Sequence, residues 1–332
     1  MSLRLRRFVL VACAVPLALS GGACGGNDED AGVRAGPAPT ARPADFPAGK
    51  GMTLQQLRAR APEGPILAPS VSLLEERATN RFGFGLFDRA RKHVTGAEVA
   101  LYTADVKGNG VRGPFVARSE SLAVKPQYRS QTTASDPDAP NSVYVADLPF
   151  RRQGKQVVLA LMRLDGRLVA SSPISVEVVP KGKGGPPGVG EKAARIHTPT
   201  VADAGGDLSK IDTRVPPAAG LHQVDFADVV GRKPAVLVFA TPKLCQSRVC
   251  GPVVDIAEQV RARYGEKMSF IHMEIYNDNE VGRGFRPQVG TWRLPSEPWA
   301  FAIDRRGVVV ERLEGAFSAA ELERAASRAL SS

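Results

Sequence analysis

The residues in this chain with the clearest chemical potential are two cysteines five positions apart, Cys245 and Cys250. They follow the apolar run at residues 234–240, which predicts a buried parallel strand, and they precede residues 253–264, which predict a helix. The N-terminus of a helix carries partial positive charge and free N–H groups, so it favours a thiolate over a thiol. Because the thiolate is the form that attacks disulfides, peroxides and metals, this placement predicts a redox site.

The spacing of the two cysteines limits how their sulfurs can meet. Five residues at about 100° each would leave the side chains of Cys245 and Cys250 about 140° apart on an ideal helix. A disulfide between them therefore requires an unwound first turn or local melting of the helix.

A proline-led segment downstream gives the cysteines a structural context. Pro298 opens a predicted strand, and a turn at Gly307 leads into another strand and then into a final helix. The order strand, cysteine pair, helix, strand, hairpin and helix resembles the thioredoxin-like fold over roughly the last 125 residues, a normal domain size. The resemblance implies that Pro298 is cis, lies against the cysteines and shapes the substrate groove.

The C-x-x-x-x-C spacing, with Thr241 and Pro242 ahead of it, resembles one peroxiredoxin group, the bacterioferritin-comigratory type. The peroxidatic signature P-x-x-x-T-x-x-C is missing, because Thr241 lies four residues before Cys245 and Val238 stands at the proline position. A peroxiredoxin-like reductase that uses the same two cysteines is therefore the alternative to a thiol–disulfide oxidoreductase.

Two alignments of the cysteines on thioredoxins are open. One makes Cys245 the nucleophile and Cys250 the resolving cysteine, because Cys245 lies six residues past Phe239, close to the strand-to-cysteine distance of the family. The other places residues 250–253 on the W-C-G-P-C motif, with Val253 in place of the resolving cysteine. The first alignment is preferred, and the sequence leaves the second open.

The N-terminal residues predict that the chain leaves the cytoplasm. Residues 1–23 combine arginines at the start, an apolar core at residues 8–19 and small residues, which is typical of a targeting segment. Cys24 and the glycine-rich, acidic run after it resemble the start of a bacterial lipoprotein, although Gly21 stands where leucine is usual. The resemblance implies acylation of Cys24 and an extracytoplasmic protein anchored to the cell membrane. An ordinary signal peptide or an uncleaved anchor is the alternative.

A structural disulfide is a third interpretation of the Cys245–Cys250 pair. With Cys13 in the signal segment and Cys24 at the lipid site, Cys245 and Cys250 are the two that remain. In an oxidising compartment they are expected to pair, so a non-catalytic surface binding module with a structural disulfide stays open. A bond that spans five residues constrains the unfolded chain little, which argues against a purely stabilising role.

The composition divides the rest of the chain into four parts. Residues 24–60 are rich in Gly, Pro, Ala and charge and predict a flexible tether, whereas residues 61–180 show strand-like alternation. Residues 181–204 predict a linker, and residues 205–332 the thioredoxin-like domain. Residues 143–157 loosely resemble a bacterial immunoglobulin-like domain. The expected fold is therefore an α/β thioredoxin-like C-terminal domain behind an all-β immunoglobulin-like sandwich.

The net charge of +10 is scattered and lacks an aromatic-interleaved basic stripe, so nucleic acid is not an expected partner. The expected partners are membrane lipid, through Cys24, and exported proteins that carry thiols or disulfides. No cofactor and no metal are expected. His272 lies on a predicted strand. Copper carriers of the Sco type combine a cysteine pair with a histidine on a thioredoxin-like fold, but their C-x-x-x-C spacing and the position of their histidine differ from this sequence. Metal delivery is therefore a fourth and weaker alternative. Trp292 and Trp299 are predicted to pack in the core or at the rim of the Pro298 loop.

Overall fold

The computed structural model describes residues 40–332 of the chain, so the predicted signal segment and Cys24 lie outside the described residues. Its strands are β1 (Ile66–Pro69), β2 (Leu74–Glu75), β3 (Ala78–Phe87), β4 (Glu98–Asp105), β5 (Arg112–Ser121), β6 (Ser142–Phe150), β7 (Gly154–Leu164), β8 (Arg167–Ala170), β9 (Ile174–Val179), β10 (Ala235–Phe239), β11 (Ser269–Met273), β12 (Trp299–Ile303) and β13 (Val309–Glu314). Its α-helices are α1 (Leu54–Arg58), α2 (Gln131–Ala134), α3 (Phe226–Val229), α4 (Cys250–Tyr264), α5 (Pro287–Thr291) and α6 (Ala319–Ser331). Short 3₁₀ turns lie at Pro43–Asp45, Pro126–Tyr128, Leu208–Lys210, Ala219–His222, Asn277–Asn279 and Val281–Arg283.

The first nine strands form one continuous sheet in the order β1-β3-β6-β5-β4-β7-β9-β2, with β8 paired to β7. Strand β5 pairs with β4 as far as Ala117 and with β6 from Arg118 onward, so it passes between the two halves of the sheet. Both halves bury apolar side chains in a shared core, with Phe82 and Phe84 from β3 and Leu101 from β4 among them. This part of the chain is therefore β-rich, and its immunoglobulin-like character stays a prediction.

Residues 41–61 pack against this sheet, which corrects the predicted tether. Ala41, Phe46 and Leu57 are buried in a cluster with Tyr102 and Leu159 of the sheet. Helix α1 lies within this stretch and begins with a capping box at Thr53, whose hydroxyl accepts a hydrogen bond from the backbone of the third helical residue. The flexible tether predicted for residues 24–60 is wrong for residues 41–60, because a few apolar side chains suffice to fix them.

The predicted linker, residues 181–204, is also partly ordered against the second domain. Lys192 forms a β-bridge with Val308, and the N–H of Ala193 donates to the carbonyl of Gly307 at 2.9 Å. Ile196 is buried beside the four-stranded sheet that β10–β13 form. The linker assignment is therefore wrong around residues 190–196, which extend the packing of that sheet.

Strands β10–β13 form a second sheet in the order β11-β10-β12-β13. The β10–β11 pair is parallel, whereas β12 runs antiparallel to β10 and β13 antiparallel to β12. Helix α4 is the crossover that a parallel pair requires, and α6 follows the hairpin. This order and these directions are those of the thioredoxin-like fold, as the sequence predicts. Trp292 and Trp299 are fully buried on one face of the sheet, so core packing is the confirmed role of both.

The two sheets are joined by a common core. Val143 and Val145 of β6 and Leu122 belong to the same buried cluster as side chains from α4 and α6. Full burial of each valine is worth about 1.5–3 kcal/mol. An ion pair lies at the edge of this contact. It joins the guanidinium of Arg81 to the carboxylate of Glu321 at 2.8 Å, and both side chains are largely buried. The β-rich domain is therefore packed on the helical face of the thioredoxin-like domain.

Candidate functional site

The loop between β10 and α4 places the cysteines in different local structures. The carbonyl of Thr241 accepts the N–H of Cys245 at 3.1 Å, and the carbonyl of Cys245 accepts the N–H of Arg248 at 3.2 Å. Arg248 has a φ of 59°, which turns the chain before α4 begins at Cys250. Cys245 therefore lies in a turn outside the helix and Cys250 is its first residue, which removes the 140° separation expected on a continuous helix.

This geometry brings two free thiols together. The sulfurs of Cys245 and Cys250 and a carboxylate oxygen of Glu297 all lie within 4.8 Å of one another. Cys250 is fully buried, whereas Cys245 keeps 9% of its surface exposed. An attacking reagent therefore reaches Cys245 first.

The environment moves the pKa values of the two thiols apart. The pKa of Cys245 falls from 9.0 to about 6, chiefly because the thiol of Cys250 donates a hydrogen bond to its sulfur. Burial opposes this shift, while the Ser247 hydroxyl at 3.2 Å and the backbone N–H groups of Val249 and Cys250 add to it. Burial raises the pKa of Cys250 well above its ordinary value, and the Cys245 sulfur adds to that rise. At neutral pH the pair therefore holds one thiolate, on Cys245, and one thiol, on Cys250.

The hairpin loop supplies the third member of the site. The Glu297–Pro298 peptide bond is cis, as the sequence predicts, and Pro298 is buried. Glu297 is partly buried, and its Oε2 atom has no hydrogen-bond partner. Burial, and after it the charges of Cys245 and Glu274, raise the pKa of Glu297 to about 8. Glu297 is not among the site residues predicted from the sequence, although its position directly before the hairpin proline was a signal for it.

A buried polar network supports the cysteine loop from below. The Nε2 atom of His272 lies 3.0 Å from the carbonyl of Ala240, where the loop begins. Its Nδ1 lies 3.6 Å from Asp212, whose other oxygen lies 3.3 Å from Nε2 of His222. Burial opposes the charged form of both groups, but their mutual attraction lowers the pKa of Asp212 and raises that of His272. The strand histidine is thus a support of the loop.

A second carboxylate holds the same loop from the side. Glu274 is buried and accepts hydrogen bonds from the N–H of Thr213 at 2.7 Å and from its hydroxyl at 2.6 Å. The hydroxyl of Thr213 in turn accepts the N–H of Lys243 at 3.1 Å. The segment that precedes β10 therefore braces the cysteine loop.

Two clusters in residues 40–332 bring together side chains that ligate metals, namely Asp212 with His222 and His272, and Cys245 with Cys250 and Glu297. The carboxylate of Asp212 also accepts backbone N–H groups, from Arg214 at 2.9 Å and from Ala218 at 2.7 Å. Hydrogen bonds thus occupy the Asp212 carboxylate of the first cluster, whereas Nδ1 of His272 faces it without a hydrogen-bond partner. The second is the thiol site itself.

The β-rich domain forms one wall of the approach to Cys245. A cavity of about 550 Å³ lies between the segment at residues 132–139 and the cysteine loop, and Cys245 is part of its lining. Arg248 crosses the gap, with its guanidinium 2.8 Å from Asp136 and 2.9 Å from Asp138. A volume of this size is typical of a ligand-binding cleft.

No family model and no curated protein matches this sequence. Among solved structures, a putative thiol:disulfide interchange protein DsbE from Chlorobium tepidum is similar, at 21% identity and a TM-score of 0.31, over 43% of this chain and 99% of that one. A thiol:disulfide interchange protein of the thioredoxin family from Chlorobium tepidum TLS is similar at 15% identity and a TM-score of 0.29, over 45% and 99%. Both likenesses span less than half of this chain.

Proposed function

We propose that this protein is a thiol–disulfide oxidoreductase in which Cys245 is the nucleophile and Cys250 the resolving cysteine. The observation that carries the proposal is the contrast between the two adjacent thiols. Cys245 lines a cavity and has a lowered pKa, whereas Cys250 is buried behind it with a raised one. This division favours the first of the two alignments over the one that makes Cys250 the nucleophile.

The reaction follows from the positions of the sulfurs. The Cys245 thiolate attacks one sulfur of a client disulfide, which breaks the client bond, releases one client thiolate and forms a mixed disulfide. Cys250 then loses its proton and attacks the Cys245 sulfur, which releases the second client thiolate and leaves a Cys245–Cys250 disulfide. Two electrons pass from the protein to the client. The same steps run backwards when the oxidised protein meets a dithiol.

Mixed-disulfide trapping tests the proposal. Cys250→Ser is expected to accumulate a mixed disulfide through Cys245 with exported proteins, because the resolving thiol is gone. Cys245→Ser is the matched control and is expected to trap nothing. Trapping by Cys245→Ser alone would instead make Cys250 the nucleophile. If neither variant traps a client and the double variant only loses stability, the protein is a binding module with a structural disulfide.

The reduction potential of the pair separates the same alternatives without a client. A catalytic pair is expected to fall at about −120 to −270 mV, whereas a structural bond falls below about −300 mV. A peroxiredoxin-like reductase is the second alternative. Rapid oxidation of reduced protein by hydrogen peroxide, lost in Cys245→Ser, would favour that activity over disulfide exchange.

We further propose that the protein works outside the cytoplasm, anchored to the membrane by a lipid on Cys24. The support is the apolar segment, the small residues and the glycine-rich, acidic run around that cysteine. Within residues 40–332 no helix is both long and apolar enough to cross a membrane. Mass spectrometry of the membrane fraction is expected to show an acylated N-terminus at Cys24, and Cys24→Ala is expected to abolish it. An unmodified N-terminus at another residue would contradict the lipid anchor.

A further inference from the structure

The second step of the exchange requires that the buried Cys250 thiol lose its proton. Cys250 must become a thiolate to attack Cys245, yet its sulfur is fully buried and burial raises its pKa well above the ordinary value. Hydroxide has no direct access to a side chain with no exposed surface. A group inside the site must therefore take the proton if the step is to be fast at neutral pH.

Two buried titratable groups near the cysteine loop are already engaged elsewhere and cannot accept the proton of Cys250. His272 is directed elsewhere, since Nε2 meets the carbonyl of Ala240 and Nδ1 faces Asp212. Glu274 accepts two hydrogen bonds from Thr213, which hold its carboxylate in the brace of the loop.

Two further groups stand close to the thiols. The pKa of Tyr276 is raised by burial and by the charges of Glu297 and both cysteines, so its phenol is protonated. Glu297 has a carboxylate oxygen within 4.8 Å of both sulfurs, and its Oε2 atom has no hydrogen-bond partner. Glu297 therefore combines proximity with free accepting capacity.

We propose, on the basis of the proposed function, that the Glu297 carboxyl carries protons between Cys250 and the client sulfur during exchange. The change of charge on Cys245 sets the order of events. While Cys245 is a thiolate, its charge helps to keep Glu297 protonated. When Cys245 enters the mixed disulfide, that charge disappears and Glu297 becomes a stronger acid.

The protons then balance over one cycle. Glu297 gives its proton to the first client thiolate as that sulfur leaves, and becomes a carboxylate. The carboxylate takes the proton of Cys250, and the resulting thiolate attacks Cys245. The second client thiolate takes this proton from Glu297 as it leaves. The pair loses two electrons, the client gains two electrons and two protons, and the site keeps its single negative charge, which moves from Cys245 to Glu297.

A two-phase chromogenic assay tests this relay in the full-length protein. Reduced protein is mixed with 5,5′-dithiobis(2-nitrobenzoate), which releases one coloured thiolate when Cys245 attacks and a second when Cys250 resolves. The leaving thiol is acidic and departs without a proton, so the first phase does not need the relay, and Glu297 gives its proton to solvent once the charge on Cys245 is gone. Glu297→Gln is expected to leave the first phase unchanged and to slow the second about 10²-fold at pH 7, a typical contribution of a general base.

A matched control variant and a second disulfide reagent test whether the effect is specific to Glu297 and to proton transfer. Glu311→Gln removes another partly buried carboxylate from the same hairpin, away from the sulfurs, and is expected to change neither phase. With hydroxyethyl disulfide, whose leaving thiol is basic, Glu297→Gln is expected to slow formation of the mixed disulfide as well, as followed by mass spectrometry.

The outcomes separate the relay from the proposed function. Absence of both colour phases in the wild-type protein would overturn disulfide exchange itself. Two phases in the wild type, with a second phase equally fast in Glu297→Gln, would overturn only the relay. If Glu297→Gln does not fold, as judged by circular dichroism, the wild-type pH profile decides. The relay predicts a second-phase rate that levels off once Glu297 is ionised, whereas a rate that rises steadily with pH would refute it.

Discussion

The lowered pKa of Cys245 depends first on its neighbour, which makes Cys250→Ala a sharp perturbation. The thiol of Cys250 is the largest cause of the shift from 9.0 to about 6, ahead of the Ser247 hydroxyl and the backbone N–H groups. Alanine removes this donor. A rise of the titration midpoint by about one pH unit, to about 7, would lower the thiolate fraction at pH 6 about fivefold, from about one half.

The assay is the rate of alkylation by iodoacetamide between pH 4.5 and 9, with the labelled cysteine identified by mass spectrometry. Cys250→Ala is expected to move the midpoint for Cys245 upward by about one unit or more. Cys250→Ser keeps a hydroxyl donor at the same place, so its midpoint is expected to lie between those of the wild type and the alanine variant. Midpoints are compared, since accessibility alters the rate and leaves the titration in place.

Coincident midpoints in the wild type and Cys250→Ala would refute this reasoning. They would show that the start of helix α4 stabilises the thiolate without help from the second sulfur. That is the cause which the sequence alone suggested, because a helix N-terminus offers free N–H groups and partial positive charge.

Three further outcomes are expected. The pKa of Glu297 is raised to about 8 from 4.5, so its contribution to stability is complete below pH 4.5 and lost as pH rises through 8; Glu297→Gln should flatten the fall in melting temperature across that window. Arg248→Ala removes two exposed ion pairs, and alkylation of Cys245 should quicken by about two- to fivefold. His272→Ala removes one partner of the buried Asp212 carboxylate, which keeps His222 and two backbone N–H donors, and should lower the free energy of unfolding by about 1–3 kcal/mol in a urea titration.

The fold of the C-terminal part was accessible from the sequence because its signals are local. An apolar run, a helix start and a proline-led hairpin each follow from neighbouring residues, and their order is enough to indicate the sheet. The capping boxes at Thr53 and Ser318 belong to the same class of signal and are present in the structure. The burial of Ala41 and Phe46 was not accessible, because their partners lie some 60 to 120 residues away.

The candidate site likewise combines residues that the sequence indicates locally with contacts between distant parts of the chain. Cys245 and Cys250 can be identified from their residue type, whereas the charged groups around them come from distant parts of the chain. Glu297 approaches the sulfurs only because β12 pairs with β10, and Asp212 reaches His272 from a segment without regular structure. The position of Glu297 directly before Pro298 could have indicated the first approach, whereas nothing in the spacing along the chain indicates the second, so the electrostatics of the site required the structure.

The contact between the β-rich domain and the cysteine loop is fastened at two points of unequal strength. At one end Asp255 of α4 accepts the hydroxyl of Ser130 at 3.1 Å and the guanidinium of Arg214 at 2.8 Å, all three side chains being buried. At the other end Arg248 meets Asp136 near the cavity, where its side chain is 48% exposed.

A buried pair that loses one partner costs several kcal/mol, whereas an exposed pair is worth about 0–1 kcal/mol. Loss of the Asp255 contacts should therefore unfold the junction, while loss of the Arg248 contacts should only open the way to Cys245. Since the weaker contact costs less to break, the wall of the cavity is held firmly at Asp255 and is expected to open first at Arg248, near the sulfur of Cys245.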